Sequence, residues 1–315
     1  MQHGGDKVQP ADILTLDDEV AAALSDGRPV VALESSIVAQ GFPRPDNLAL
    51  AREMTAVVRA GGAVPALTAV VDGDIRVGAD DALLQRLAQE NCRKLGARDL
   101  AAARRQGVLG ATTVSATVRI AALAGIRVFA TGGIGGGHRR MPGELAPLDV
   151  SADLAELARS PVCVISSGAK AILDLPATLE TLETLGVPVL GFACEEFPAF
   201  FSATSGLSVT HRVDNTAEAA AIAQDHWRLA GQGLLLCQPP PEDAALPAAE
   251  VEGWVEQALR KAAAQGIQGT SVTPYLLAEI RQLSNGRTLT VNRALALSNA
   301  ALGAALAGAL AGHAN

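Results

Sequence analysis

Short apolar runs rich in valine and isoleucine alternate along this chain with longer segments of helical periodicity, and this alternation limits the possible folds more than any other feature. Each run is four or five residues long, which suits a buried strand. Because strands separated by helices pair through right-handed crossovers, we predict a three-layer α/β/α sandwich with a mixed, mostly parallel central sheet. The predicted strands are residues 30–33, 67–71, 126–130, 162–165, 189–192 and 233–236.

A predicted hairpin makes the sheet mixed rather than purely parallel. Residues 67–77 turn at Asp72-Gly73, a pair that favours a tight antiparallel connection. The proline-rich residues 238–247 are interpreted as an extended connection rather than a domain boundary. The predicted helices are residues 48–59, 81–90, 114–124, 152–158, 177–185, 216–229 and 251–265.

Composition indicates a globular protein and argues against two classes of partner. The chain has 315 residues, 49% of them hydrophobic, and we predict a single domain over residues 15–312 after a frayed segment, residues 1–14. A net charge of −8 and an aromatic content of 3% argue against nucleic-acid and anionic-membrane partners. Four scattered cysteines and the lack of a signal-peptide pattern predict free thiols and a cytoplasmic location.

The C-terminal residues 294–311 are nearly all alanine, leucine and glycine, which raises the question of a membrane span. Ser298 and Asn299 interrupt the stretch, and no aromatic belt or basic flank marks an interface. We therefore predict a helix that packs closely inside the fold.

Two candidate catalytic residues lie within five residues after predicted strands, where ligands of parallel sheets bind. Glu34 leaves the buried run 30–33, so its carboxyl group should be partly desolvated and able to donate a proton near neutral pH. Lys170 follows the run 162–165 among small residues, and a helix is predicted to begin near Ala171. Its amine could attack a carbonyl as a free base, or it could bind a phosphate as a fixed charge. Position alone also allows a solvated loop glutamate.

Two further clusters offer polar groups at loop and helix starts. The glycine-rich residues 131–137 match neither a Walker loop nor the dinucleotide fingerprint, and they could bind an anion or act as a hinge. Asp149 and Asp153 flank Ser151 at a predicted helix start. They could hold a hard divalent ion, although capping of the helix explains the pattern equally well.

Seven stretches of the chain, taken together, resemble one known family. They include ALESSIVAQGFPRPDNLALA from Ala32, LGATTVSATVRIAALAGIRVFATGGIGG from Leu109, LDVSADL from Leu148 and SSGAKAILDLPATLETLETLGVPVLGF from Ser166. The others are GAVPALTAVVDGDIRVG, TPYLLAEI and VNRALALSNAALGAALA. The sequence resembles the pseudouridine-5'-phosphate glycosidases, a family that includes the indigoidine biosynthesis A proteins.

The resemblance implies reversible cleavage of the C–C glycosidic bond of pseudouridine 5'-phosphate to uracil and ribose 5-phosphate, a lyase-type reaction. It implies an imine between a lysine and the ring-opened ribose, with manganese or another divalent cation as cofactor and a homotrimeric assembly. The resemblance gives Lys170 as the nucleophile, Glu34 as the proton donor and Asp149 as the metal ligand.

Substrate contacts also carry over from the resemblance. They fall on Lys94, Val114, Ser151, Ala152 and Asp153. Less directly, the resemblance gives Asn292 a place near the base and Thr131 a place near the phosphate. Because none of the strand-end clusters contains an aromatic residue, we expect base recognition through hydrogen bonds and backbone contacts around Val114, Ser151 and Asn292.

Departures from the family pattern leave two alternatives open. Gln40 stands where the family usually has histidine, Arg44 replaces a neutral residue, and Leu95-Gly96-Ala97 replaces the usual run after the lysine. One alternative is another Schiff-base sugar-phosphate lyase of the indigoidine-pathway type with a different base. The other is an inactive sugar-phosphate-binding protein.

Overall fold

An eleven-stranded mixed sheet runs through the protein, in a computed structural model that describes residues 13–140 and 149–312. The strands, including a separate two-stranded pair, are β1 Leu14–Leu16, β2 Val30–Leu33, β3 Val64–Val71, β4 Asp74–Val77, β5 Arg93–Leu95, β6 Gly110–Thr112, β7 Val128–Ala130, β8 Gly137–His138, β9 Cys163–Ser166, β10 Leu173–Asp174, β11 Val189–Phe192, β12 His211–Val213 and β13 Leu234–Cys237. The helices are α1 Asp18–Ser25, α2 Asp46–Ala60, α3 Asp81–Gln89, α4 Leu100–Gln106, α5 Val114–Ala124, α6 Ala152–Leu157, α7 Leu175–Thr184, α8 Thr216–Leu229, α9 Ala248–Ala264, α10 Val272–Leu283 and α11 Arg287–Gly312.

The order of strands confirms the predicted mixed, mostly parallel sheet. Along the sheet the order is β1-β4-β3-β2-β7-β9-β13-β11-β12, with β6 beside β3 and β5 beside β6. Neighbours from β3 through β2 to β12 pair in parallel, whereas β3 pairs antiparallel with both β4 and β6. The hairpin turns at Asp72 and Gly73, both at positive φ, as predicted. Helices cover both faces of this sheet, which completes the three-layer sandwich.

Two predicted element starts differ from the structure. The helix predicted over residues 177–185 is α7, which begins at Leu175 and not near Ala171, because the Asp174 side chain caps it by accepting from the Ala177 N–H at 3.0 Å. The frayed segment was predicted to extend to residue 14, yet Leu14 already pairs with Ile75 in the sheet and packs against the core. Residues 1–12 lie outside the described part of the chain.

The apolar C-terminal segment forms α11, which packs on the sheet as predicted. This helix is long and apolar enough to cross a membrane, but half of its most apolar stretch is buried inside the protein. It contacts β2, β7 and β9 as well as α2 and α8. Gly303 permits the close approach, because a Cβ atom there would lie 3.2 Å from both the Ala130 Cβ and a Val31 methyl group. Burial against the sheet therefore accounts for about half of the apolar stretch of α11.

The register of three central strands brings their carboxyl ends together. Leu33, the last residue of β2, pairs with Ala130, the last residue of β7. Ala130 in turn pairs with Ile165 of β9. The residues that follow these strands, Glu34, Thr131 and the segment 167–170, therefore emerge side by side at one edge of the sheet.

The close contact between α11 and the sheet predicts a position-specific effect of a larger side chain. Gly303→Leu should lower the free energy of unfolding by about 1–3 kcal/mol, because the added atoms overlap β2 and β7. Gly308→Leu, in the same helix, is the control: no heavy atom lies within 4 Å of its added Cβ, and leucine favours helix more than glycine does. Urea unfolding of both variants tests this, and an equal effect at the two positions would contradict it.

Candidate active site

A cavity of about 140 Å³ opens at the carboxyl edge of β2, β7 and β9. It brings together five residues named from the sequence or the resemblance: Glu34, Lys94, Thr131, Lys170 and Asn292. The strand-end position of Glu34 and Lys170 follows from the parallel register described above. Lys94 comes from β5, which joins the sheet through β6, so only tertiary structure could place it in the same cavity.

Glu34 is held in place by two hydroxyl groups. The residue is buried, with 7% of its surface exposed. One carboxylate oxygen accepts a hydrogen bond from the Ser36 hydroxyl, and the other accepts from the Thr131 hydroxyl. These short contacts orient the carboxyl group toward the cavity that it lines. A carboxyl group so fixed is suited to exchange a proton with a bound molecule.

Lys170 is fixed through its backbone by the glycine-rich loop. Its N–H donates to the Ile134 carbonyl at 3.1 Å, and the Ile134 N–H donates to the Gly168 carbonyl at the same distance. Gly168 has a φ of +76°, and a Cβ atom there would lie 2.0 Å from the Pro198 carbonyl oxygen. Only glycine fits this turn, which directs the chain from β9 to the half-buried Lys170.

Lys94 has a pKa below the usual value for lysine. Although its side chain is exposed, it lines the cavity, and desolvation there is the main cause of the lowered pKa. The nearby Lys170 lowers this pKa further, whereas Glu34 and Asp153 oppose the shift. An anion that binds in the cavity would offset the repulsion between Lys94 and Lys170.

Three side chains fasten the turn before Lys94 to the segment after Glu34. Gln40 donates to the Cys92 carbonyl at 3.0 Å, and Arg44 donates to the Glu90 carbonyl at 3.3 Å. The buried Asn47 donates to the Val38 and Ala88 carbonyls. The departures at positions 40 and 44 thus have a structural role, because they fix the approach to β5.

Helix α11 also holds the loop that follows β7. The buried Asn299 side chain donates to the Thr131 carbonyl at 2.8 Å. Its own oxygen accepts from Gln238 at 2.9 Å. Because Thr131 bonds Glu34, this contact connects the C-terminal helix to the candidate proton donor.

The other predicted substrate contacts form a neighbouring group around Gly135, and they do not line the cavity. Asp153 is 6% exposed and accepts from the backbone N–H groups of Ser115 at 2.8 Å and Gly135 at 2.9 Å. Ser151 caps α6, as the capping interpretation expected. Val114 and Ala152 are the first residues of α5 and α6. Their role in substrate binding stays a prediction.

The predicted metal ligand Asp149 lies at the other end of the glycine-rich loop. Its side chain is 62% exposed, and one carboxylate oxygen is 3.7 Å from His138 Nδ1. Within residues 13–140 and 149–312, no three metal-binding side chains of His, Cys, Asp or Glu cluster together. The role of Asp149 as a metal ligand stays a prediction.

Two aromatic residues in the cavity wall correct the expectation of an aromatic-free site. Phe200 and Phe201 line the cavity, and their ring centroids are 4.7 Å apart in an edge-to-face arrangement. Helices α10 and α11 complete the wall with Thr273, Leu277, Arg281, Thr288, Leu289 and Asn292. No local pattern in the sequence marks the phenylalanines, because they do not directly follow a predicted strand. Only the tertiary fold places their turn in the cavity wall.

Comparisons with known proteins assign the chain to a family. A family model described as "Indigoidine synthase A like protein" matches residues 19–309. Relatives named pseudouridine-5'-phosphate glycosidase from Nocardioides sp. and Paracoccus denitrificans are each 51% identical to the chain. These matches cover 96% and 95% of this chain and 98% and 99% of the relatives. The chain belongs to the indigoidine synthase A-like family.

Solved structures extend the likeness within the indigoidine synthase A-like family. The prealnumycin C-glycosynthase AlnA, solved in complex with ribulose 5-phosphate, is 39% identical with a TM-score of 0.89, over 96% of this chain and 98% of AlnA. An indigoidine synthase A-like protein from Thermotoga maritima is 34% identical with a TM-score of 0.86, over 95% and 97% of the two chains. The family fold therefore covers nearly the whole sequence.

The environment of Lys94 predicts that removing its charge stabilises the folded protein. Because its pKa is lowered in the folded protein, the unfolded chain binds the proton more tightly. The folded state is therefore penalised at neutral pH, and the penalty disappears only as the pH rises past 10.5. Lys94→Met should raise the unfolding midpoint at pH 7.

The matched control is Lys261→Met. The hydrogen bond to Glu279 raises the pKa of Lys261, so this change should lower the midpoint or leave it unaltered. Carbon-13 NMR of the lysine side chains should also show Lys94 titrating below 10.5 and moving upward in Lys170→Met. A Lys94 titration at or above the usual value would contradict the account.

Proposed function

We propose that this protein reversibly cleaves the C–C glycosidic bond of pseudouridine 5'-phosphate to give uracil and ribose 5-phosphate. The observation that carries the proposal is one cavity that holds a hydroxyl-bonded carboxyl group, Glu34, beside the amine of Lys170. The names of the relatives that are 51% identical over nearly the whole chain support the same substrate.

The bond to be broken explains why an amine is needed. A C–C glycoside has no leaving-group oxygen to protonate, so a pair of carboxyl groups alone would not cleave it. In the proposed reaction the Lys170 nitrogen adds to C1' as the C1'–O4' bond breaks, and O4' takes up a proton. Lys170 is then joined covalently to an open-chain ribose.

Glu34 supplies the proton that the second step requires. It protonates C5 of the uracil ring, and the C1'–C5 bond then breaks with its electrons returning to the ring. At the same time the nitrogen lone pair forms the C1'=N bond of an imine. Water hydrolyses the imine, which releases ribose 5-phosphate and regenerates the Lys170 amine.

Lys94 is proposed to bind the phosphate. Its ammonium lines the same cavity as Lys170 and supplies a positive charge for an anion, despite a net charge of −8 for the chain. The neighbouring group of Val114, Ser151, Ala152 and Asp153 is proposed to contact the substrate, on the strength of the family resemblance and of the position of these residues at two helix starts.

A divalent cation, manganese or another, is the proposed cofactor. Asp149 is open to solvent, and His138 lies beside it. One carboxylate fits a hard ion that keeps most of its water ligands and shares a substrate phosphate. Such an ion would neutralise part of the phosphate charge. Homotrimeric assembly and a cytoplasmic location complete the proposal.

The likeness to prealnumycin C-glycosynthase favours a second candidate with the same bond chemistry and a different ring. A panel of pseudouridine 5'-phosphate and other C-ribosides, followed by ultraviolet detection of the released ring, separates the two. An inactive binding protein is the weaker alternative, because the acid and the lysine both line the cavity and both the named relatives and the structural neighbour are enzymes.

Borohydride trapping tests the imine. With ribose 5-phosphate and borohydride, peptide mass spectrometry should find a reduced sugar adduct on Lys170, and the adduct should disappear in Lys170→Ala. Lys261→Gln is the control, because Lys261 lies outside the cavity and its loss should leave the labelling intact. Labelling that persists in Lys170→Ala would remove this lysine from the mechanism.

Calorimetry that titrates manganese into protein saturated with ribose 5-phosphate tests the cofactor site, because the proposed ion shares the substrate phosphate. Asp149→Asn should weaken binding at least tenfold, because it removes the charged ligand. Asp225→Asn is the matched control, since Asp225 is a comparably exposed carboxylate with 71% of its side chain accessible. Equal affinity in wild type and Asp149→Asn would assign the ion elsewhere.

A further inference from the structure

Phe200 occupies a backbone position that normally excludes a bulky side chain. It has a φ of +62°, in the left-handed region where an aromatic residue is an outlier. The turn around it is closed by two hydrogen bonds, from the Ala199 N–H to the Ser202 carbonyl at 3.0 Å and from the Ser202 N–H to the Ala199 carbonyl at 3.4 Å. Two-residue turns of this kind favour glycine, asparagine or aspartate at a residue with positive φ.

The surroundings of the ring are shaped to receive it. A Cβ atom on Gly133 would lie 2.5 Å from the Phe200 ring, so any larger residue at 133 would displace the ring. The Phe200 N–H donates to the Ser167 carbonyl at 3.0 Å, which fixes the turn beside the strand end that leads to Lys170. The strained backbone of Phe200 and the lack of a side chain at Gly133 thus maintain one position of the Phe200 ring. Strained residues of this kind are typical of functional sites.

The proposed reaction determines which part of the cavity the uracil ring occupies. C5 of uracil must come within hydrogen-bonding reach of Glu34 while C1' bonds to Lys170. Glu34 is hydrogen-bonded to Thr131, and Thr131 leads directly into Gly132-Gly133. The proposed reaction therefore places the uracil ring next to these glycines, where Phe200 forms the cavity wall.

We propose that Phe200 is a base-binding residue, whose ring packs against the pyrimidine of the substrate. The inference rests on the proposed function and assigns its base subsite to an aromatic wall. The chain has only six phenylalanines, and Phe200 and Phe201 lie side by side in this cavity. An aromatic side chain can pack against the π-face of a base and orient the base without using a charged group.

The test uses the synthetic direction, in which uracil and ribose 5-phosphate are varied separately. Phe200→Leu keeps an apolar side chain but removes the π-surface. It should raise the KM for uracil about 5- to 10-fold and change the KM for ribose 5-phosphate by less than about twofold. An equal rise in the KM for uracil and the KM for ribose 5-phosphate, or an unchanged KM for uracil, would overturn the proposal.

Phe197→Leu is the matched control. Phe197 is fully buried in the same segment and does not line the cavity, so the change should lower stability without moving the KM for uracil. Absence of any product with the wild-type protein would instead refute the proposed function, so the two failures are distinguishable.

A measurement on the wild-type protein covers the case in which Phe200→Leu does not fold. The measurement is saturation-transfer NMR on deuterated protein that carries protonated phenylalanine rings. Saturation of the ring protons should transfer to the C6 proton of uracil when ribose 5-phosphate is present. No transfer to bound uracil would refute the contact.

Discussion

The parallel register of β2, β7 and β9 is the constraint on which the candidate site depends. It brings Glu34, Thr131 and the turn before Lys170 to one edge of the sheet, so that two short hydroxyl contacts can orient the carboxyl group beside the amine. A slip of one residue between these strands would turn the following side chains to opposite faces. The close packing of α11 at Gly303 and the Asn299 contact to the Thr131 carbonyl stabilise this register from one face.

The fold and the strand-end part of the site could be predicted from sequence, because both depend on local patterns. The apolar runs predicted the central strands to within a few residues, and the carboxyl ends of those strands carry Glu34 and Lys170. Periodicity predicts the helix after Lys170 over residues 177–185 but not its start, because a single side chain, Asp174, decides where it begins. Such a capping contact competes with propensity and is poorly encoded in periodicity.

The rest of the cavity required tertiary structure. Lys94, Phe200 and Asn292 are far apart in sequence and lie on a side strand, a tight turn and the last helix. Hydrophobic periodicity treats these positions as surface or core, and only the family resemblance singled out Lys94. The departures Gln40 and Arg44 gained a physical account only when their carbonyl partners before β5 were visible.

The central claim is that Glu34 and Lys170 act together on one C–C glycosidic bond. The most direct measurement is the loss of pseudouridine 5'-phosphate, followed by chromatography of uracil and ribose 5-phosphate, in wild type, Glu34→Gln and Lys170→Ala with manganese present. The account predicts equimolar products with wild type and at least a thousandfold slower release with either variant. Product formation at the wild-type rate by either variant would contradict it.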